Sequence, residues 1–280
     1  MKKQLFILLG LPFFCFCQTT AIKNDLQKEG LKGNVKQIKQ NNYFVLEKFG
    51  EVVQGSKKIT EKDNFLKLYN EKGNKTEWFI YVMGTERYQK HIYKYIDSLS
   101  RIDEDLYRPD GSLDWKYIYK YDEKNNLIEE NWYNADGRLC RRGKFKYDTK
   151  FNKIEANYYD GDGNLNCKYV YKYDDKGNQD EENMYNASDK LNWKHIYKYD
   201  TKGNLFENYE YKPDGKLKWG VISKFDEIGN PTEKNTYKAN GSMDSRRITS
   251  YEYDKFGNWI KRISKEGTDY TMTIREIEYY

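Results

Sequence analysis

The sequence predicts an all-β fold, a repetitive antiparallel meander of 26-residue two-strand repeats forming an elongated twisted single sheet or open β-solenoid. Three observations predict it. The motif Tyr-x-Tyr-Asp-x-x-Gly-Asn recurs, its second Tyr falling at Tyr69, Tyr95, Tyr121, Tyr147, Tyr173 and Tyr199, then as Phe225 and Tyr253. The spacing is 26 residues six times and 28 once, a period that marks a repeat architecture. Segments such as Lys116-Tyr117-Ile118-Tyr119-Lys120-Tyr121 alternate with period two and are rich in strand-forming residues. Each is closed by turn residues, first the Asp-x-x-Gly-Asn of the motif and then an Asp-Gly or Asn-Gly pair such as Asp136-Gly137.

Taken in order, residues 1–17 read as a signal peptide. Lys2-Lys3 precedes an apolar run, Leu5 to Phe16, too short to span a membrane as a helix. Cleavage before Gln18 is expected, with Cys15 or Cys17 as an alternative lipid-modified residue. Residues 18–64 lose the motif and read as a divergent N-terminal cap repeat, with an opening strand near Gly33 to Ile38 and a polar connection from Lys57 to Asp63. Residues 65–280 are eight β-hairpin repeats ending in a capping strand. The two-residue excess before Tyr253 predicts a longer turn or a bulge near Ser245 to Ser250. In the tail, Thr271 to Tyr279 alternates, and its charges would protect an open sheet edge. No later apolar run is long enough for a membrane helix, so no membrane span is expected.

Composition agrees with an exported repeat protein. The chain has 28 Tyr, yet only 38% of residues are hydrophobic and 33% are charged, poor in aliphatic core for 280 residues. Lys and Asp/Glu interleave along the strands, which reads as a solvated face and argues against a nucleic-acid partner.

Few residues suggest chemistry. Cys140 and Cys167 do not make a disulfide framework and read as free thiols. His91 and His195 lie four repeats apart in the column that elsewhere holds Tyr117 and Tyr169, so they substitute for a ladder tyrosine. No zinc spacing and no phosphate-binding glycine loop is present, so neither metal nor cofactor is expected. An acidic residue stands eight after the motif Tyr in seven copies of eight: Glu77, Asp103, Glu129, Glu155, Glu181, Glu207 and Glu233. Such carboxylates can serve glycoside chemistry, but one per repeat is the spacing of a structural position, and no enzyme is expected. The candidate binding residues are Trp115, Trp193 and Trp219, in one column, with Tyr117, Tyr169 and His195 beside them on the same face. They read either as internal packing or as a stacking platform for sugar rings or protein anchors.

The repeats, for example Tyr171-x-Tyr173-Asp174-x-x-Gly177-Asn178, resemble the YD repeat of the RHS family over residues 65–280. The unit is longer than usual for that family, and Gly-Asn stands where Gly-Arg is common. A looser likeness is to YwqK-type antitoxin repeats. The resemblance implies a β strip that curls into a shell in long members, and surface, carbohydrate-binding or toxin-associated roles. Eight repeats suggest an open sheet instead. The functional expectation is an exported, non-catalytic module presenting a β face to a glycan or cell-envelope protein, in the periplasm, at the outer surface or secreted. The alternative is an immunity or antitoxin-like protein that neutralises a toxin by binding.

Overall fold

The computed structural model describes residues 23–58, 64–81, 88–96 and 100–280. The signal-peptide reading and the lipid-anchor alternative fall outside the described residues. A short helix α1 (Asp25–Lys28) precedes β1 (Val35–Lys48), β2 (Glu51–Lys58) and β3 (Phe65–Tyr69). The repeats then supply β4 (Lys75–Tyr81), β5 (Tyr88–Tyr95), β6 (Arg101–Tyr107), β7 (Leu113–Tyr121), β8 (Leu127–Asn134) and β9 (Leu139–Tyr147). They continue as β10 (Lys153–Asp160), β11 (Leu165–Tyr173), β12 (Gln179–Asn186), β13 (Leu191–Tyr199), β14 (Leu205–Tyr211) and β15 (Leu217–Phe225). The last are β16 (Pro231–Lys238), β17 (Met243–Tyr253), β18 (Trp259–Glu266) and β19 (Asp269–Tyr279).

Each repeat is two antiparallel strands and two turns, as its pattern dictates. In the motif turn the Asp side chain replaces backbone partners that a tight turn loses. Asp122 Oδ1 accepts from the amides of Lys124 and Asn126, and Asn126 Nδ2 donates to Asp122 Oδ2. The same set recurs at Asp148, Asp174 and Asp200. The motif Gly takes positive φ, +84° at Gly177, while Asn125 and Phe151 hold the same region at +66° and +67°. A register shift at the motif Tyr, between Lys120 and Tyr121 for instance, and a second near the other turn give the sheet its local curvature. The motif Tyr then straps the hairpin: the hydroxyls of Tyr147, Tyr173 and Tyr199 donate to the carbonyls of Leu127, Lys153 and Gln179.

The sheet does not stay open. β1 pairs with β19 from Val35↔Tyr279 to Tyr43↔Met272, and its other edge pairs with β3 from Gln37↔Leu68 to Gln40↔Phe65. β1 and β3 to β19 thus close into an 18-stranded barrel, with β2 added along the far half of β1. This corrects the expectation of an elongated single sheet or open solenoid. Curvature accumulated over the strands brings the two ends of the array together, and pairing β19 with β1 removes both open edges. The tail charges accordingly do not protect an edge; Glu276 faces Lys39 across the closing seam. A second correction concerns the excess before Tyr253. Residues 245–250 form the middle of β17, which is lengthened to 11 residues; its register shifts fall at either end of them, between Met243 and Ser245 and beside Tyr253.

The two faces of the wall can be told apart. On a closed cylinder, side chains pointing inward converge and those pointing outward diverge. On the face of the motif Tyr, rings touch across an intervening strand: Tyr169 and Trp193 lie 5.8 Å apart, and His195 and Trp219 lie 5.5 Å apart. That is the inner face. Most residues on both faces are only half-buried, so the barrel has no filled core. Among the described residues the hydrophobic cluster is Leu26, Val35, Ile38, Phe65 and Tyr69, at the end where α1 packs. There Glu29 accepts from Tyr69 and Lys67, and the Leu26 amide donates to the Gly73 carbonyl.

Candidate functional site

The acidic column is on the outer wall, and each member is held by lysines from neighbouring strands. Glu181 lies 2.8 Å from Lys172 and 2.6 Å from Lys194; Asp103 is clamped likewise by Lys94 and Lys116. An adjacent column of asparagines, Asn131, Asn157, Asn183 and Asn235, donates to the same carboxylates. The eighth copy reverses the charges and keeps the pair, Lys261 facing Glu252 at 2.8 Å. Burial raises the Glu181 carboxyl, but the two lysines and Asn183 outweigh it and push it down to about 2. These carboxylates are ion-pair partners set around the outside of the barrel.

The inner wall carries the aromatic residues singled out from the sequence. Starting on β9, Phe145 and Tyr158 are 6.1 Å apart, Tyr158 and Tyr169 5.8 Å, Tyr169 and Trp193 5.8 Å, and Trp193 and His195 4.6 Å. His195 then meets Trp219. These separations fall in the range of favourable aromatic pairs. The Arg141 guanidinium bridges this chain to Trp132, lying 4.1 Å from the Tyr158 ring and 4.6 Å from the Trp132 ring. Trp132 in turn contacts Tyr117 at 5.4 Å. Tyr117, Tyr169, Trp193, His195 and Trp219 therefore belong to one continuous track from β7 to β15. Trp115 lies opposite Leu106 at the β6–β7 pairing and, among the described residues, stands outside this track.

Polar groups edge the rings. Trp219 Nε1 donates to Glu210, whose carboxylate also accepts from Lys218 and lies 3.6 Å from His195 Nε2. His195 Nδ1 lies 3.1 Å from Asn208 Oδ1. Tyr197 donates to Glu182 at 2.7 Å, and burial with that carboxylate holds its phenol well above the usual range. Burial pushes Tyr158 up to about 12. Burial also raises the Glu130 carboxyl, against the pull of Trp132, Arg141 and Lys153. These phenols remain protonated donors at neutral pH, beside half-buried ring faces. Alternating flat apolar faces and hydrogen-bonding edges can hold a sugar chain by stacking and hydroxyl contacts.

His91 fills its ladder position against Trp78, 5.0 Å away, with Nδ1 2.7 Å from Glu104; four repeats separate it from His195. Cys140 and Cys167 are both free.

One feature of the inner wall was missed. Nine residues after the motif Tyr the column reads Trp78, Glu104, Glu130, Ala156, Glu182, Asn208, Lys234 and Arg262. Its sign changes from acidic to basic along the chain. The column is legible in the sequence, one position after the more regular acidic column. A cleft of about 600 Å³ opens where the column turns basic; Lys234, Arg247 and Arg262 line it together with the carboxylates Glu266 and Asp269, and Asn42 of β1 borders it.

No family model and no curated relative matches the chain. The YD/RHS identification made from the motif is therefore not supported, and the closed ring replaces the repeat strip it implied. Among solved structures, a porin-like protein from Bacteroides uniformis is 14% identical, with a TM-score of 0.44 over 88% of this chain and 98% of that one. A porin-like protein from Bacteroides vulgatus is 10% identical, with a TM-score of 0.39 over 88% of this chain and 99% of that one. The TcdB2-TccC3 structure without its hypervariable C-terminal region is 13% identical, with a TM-score of 0.33, and this chain spans 15% of its length. These are similarities of general β architecture.

Proposed function

We propose that the protein is a non-catalytic β-barrel of the cell envelope that binds a glycan on its inner wall. The observation that carries this reading is the track of rings from Tyr117 to Trp219, continuous across nine strands, half-buried and edged by fixed hydrogen-bonding groups. Internal packing alone would bury such rings; here they face a lumen with no filled core. On this reading the ligand would lie inside a barrel, not along an open sheet.

The outer wall bears on where the barrel works. A barrel that crosses a bilayer shows lipid an apolar band about 25 Å tall, and a Lys or Arg at mid-depth costs roughly 2–4 kcal/mol. Here every repeat sets charged side chains mid-strand on the outside, among them Lys116, Lys120, Glu129, Lys172, Glu181, Lys194 and Lys198. We infer a barrel with water on both sides of its wall, in an envelope compartment or at the cell surface.

The test is titration of the full chain with soluble envelope polysaccharides, followed by tryptophan fluorescence and calorimetry. Trp193→Ala and Trp219→Ala are each expected to weaken binding roughly tenfold or more, as loss of a central aromatic anchor does, while Trp115→Ala leaves it unchanged. Equal binding by all three variants would remove the inner-wall reading.

A further inference from the structure

We propose that the inner wall from β16 to β19 is an anion-recognition face, and that the glycan is an acidic oligosaccharide whose carboxylate or sulfate groups sit there while its rings lie on the adjoining aromatic track. The inference rests on the glycan-binding reading above and names the class of ligand.

Charge placement is the first ground. Lys234 on β16 lies directly opposite Arg247 on β17. Like charges directly opposite in a sheet destabilise it, so the pair serves something other than folding. Arg247 is partly relieved by Glu266, which accepts from its Nε and Nη2 at 2.9 and 2.6 Å. Among the described residues, Lys234, Arg262 and Arg275 form no ion pair at contact distance; Glu266, already held by Arg247, and Asp269 are the carboxylates that share the cleft with Lys234 and Arg262. The outer wall provides the contrast, since its lysines meet acidic partners strand after strand.

Preorganisation is the second ground. Trp259 lies beneath two guanidinium groups, Arg275 at 3.5 Å and Arg262 at 5.2 Å from its ring centre. Arg275 Nε donates to Gln40 and Arg262 Nη2 to Thr273, contacts that orient the groups without neutralising them. Burial and the neighbouring Arg262 push Arg275 down to about 10, so Arg275 stays charged at neutral pH. The hydroxyls of Thr249 and Ser264, 3.1 Å apart, add neutral hydrogen-bonding groups to the cleft. Arginine forks match the planar geometry of carboxylate and sulfate oxygens.

Continuity is the third ground. Trp219 closes the aromatic track on β15, and β15 pairs with β16, where Trp219 lies opposite Lys238 and Lys234 opposite Ser223. A chain of sugar rings leaving Trp219 therefore reaches the basic cleft on the next strands. The acidic members of the same inner column, Glu104, Glu130 and Glu182, lie on β6 to β12, away from it.

The experiment compares a galacturonate hexamer, the neutral galactose hexamer of the same linkage and inorganic sulfate, each titrated by calorimetry into the full chain. The expected result is acidic hexamer binding at least tenfold tighter than neutral. That preference should shrink several-fold as salt rises from about 50 to 500 mM, because screening shortens charge interactions. Arg262→Gln and Lys234→Gln should each remove most of the preference while leaving neutral-hexamer binding and the melting temperature in place. Neutral and acidic hexamers binding equally would overturn the anion face and leave the aromatic track standing. Sulfate binding as tightly as the acidic hexamer would overturn the saccharide assignment in favour of a small-anion site. Acidic binding abolished by Arg262→Gln yet indifferent to Trp193→Ala and Trp219→Ala would overturn the shared-ligand proposal by removing its aromatic half. Failure of both hexamers to bind would remove this proposal together with the function it rests on.

Discussion

Phe151 shows how firmly one turn is held by its neighbours. It occupies the motif Gly position at φ +67°, a region that costs an ordinary L-residue roughly 1–2 kcal/mol. Asp148 closes the turn around it, accepting from the Lys150 amide and from the amide and side chain of Asn152, and Lys124 lies over its ring at 5.8 Å. Phe151→Gly relieves the backbone but makes the unfolded chain freer, a loss of about 0.4–1 kcal/mol. The expected outcome is a net gain of about 0.5–1 kcal/mol in urea unfolding. A loss of stability would mean that the ring contact outweighs the strain. The reverse case is Gly220, where an added Cβ would come within 2.6 Å of the Tyr209 ring. There the glycine makes room on the outer wall for an aromatic from the neighbouring strand.

At the scale of the strand, the outer ion pairs make the barrel sensitive to acid. Lysine partners hold Glu129 and Glu155 below the usual carboxylate range despite burial that works the other way, and Glu181 and Glu233 are both held down at about 2. A carboxylate with a lower folded than unfolded value contributes stability above the unfolded value, near pH 4.5. That contribution is lost as pH falls from there towards pH 2. Unfolding free energy is thus expected to be flat from pH 7 to about 5 and to fall below it. Exposed lysines screen each pair, so the single effects are small and the sum over strands is what is seen. Glu181→Gln should lower stability at pH 7 and make the decline below pH 5 shallower than in the unaltered protein. An identical slope in the two proteins would show that these pairs are not what acid breaks.

For the molecule as a whole, closure depends on one seam. β19 fills the gap between β18 and β1, and its pairing with β1 runs nearly its whole length. Ending the chain at residue 268 would leave two unpaired edges, and exposed strand edges recruit other chains. The truncated protein is expected to self-associate, read as a concentration-dependent mass by light scattering at concentrations where the full chain is monodisperse. A monodisperse truncated chain with unchanged melting would show that the ring does not need its last strand.

Strand positions, antiparallel pairing, turn chemistry and the face shared by Trp193, His195 and Trp219 were all legible in the sequence. They depend on contacts within one repeat or between adjacent ones, and the 26-residue period displays them in copy after copy. Tyr147, Asp148 and Asn152 mark their hairpin even where Phe has replaced the glycine. Closure was not legible, because it depends on the bend per strand summed around the array and on a pairing between Val35 and Tyr279, 244 positions apart in the chain. That one long-range pairing decided the rest. It set the aromatic track inside a lumen and turned the Lys-Glu columns outward. It also brought Asn42 of the first strand to the basic cleft that the last strands line.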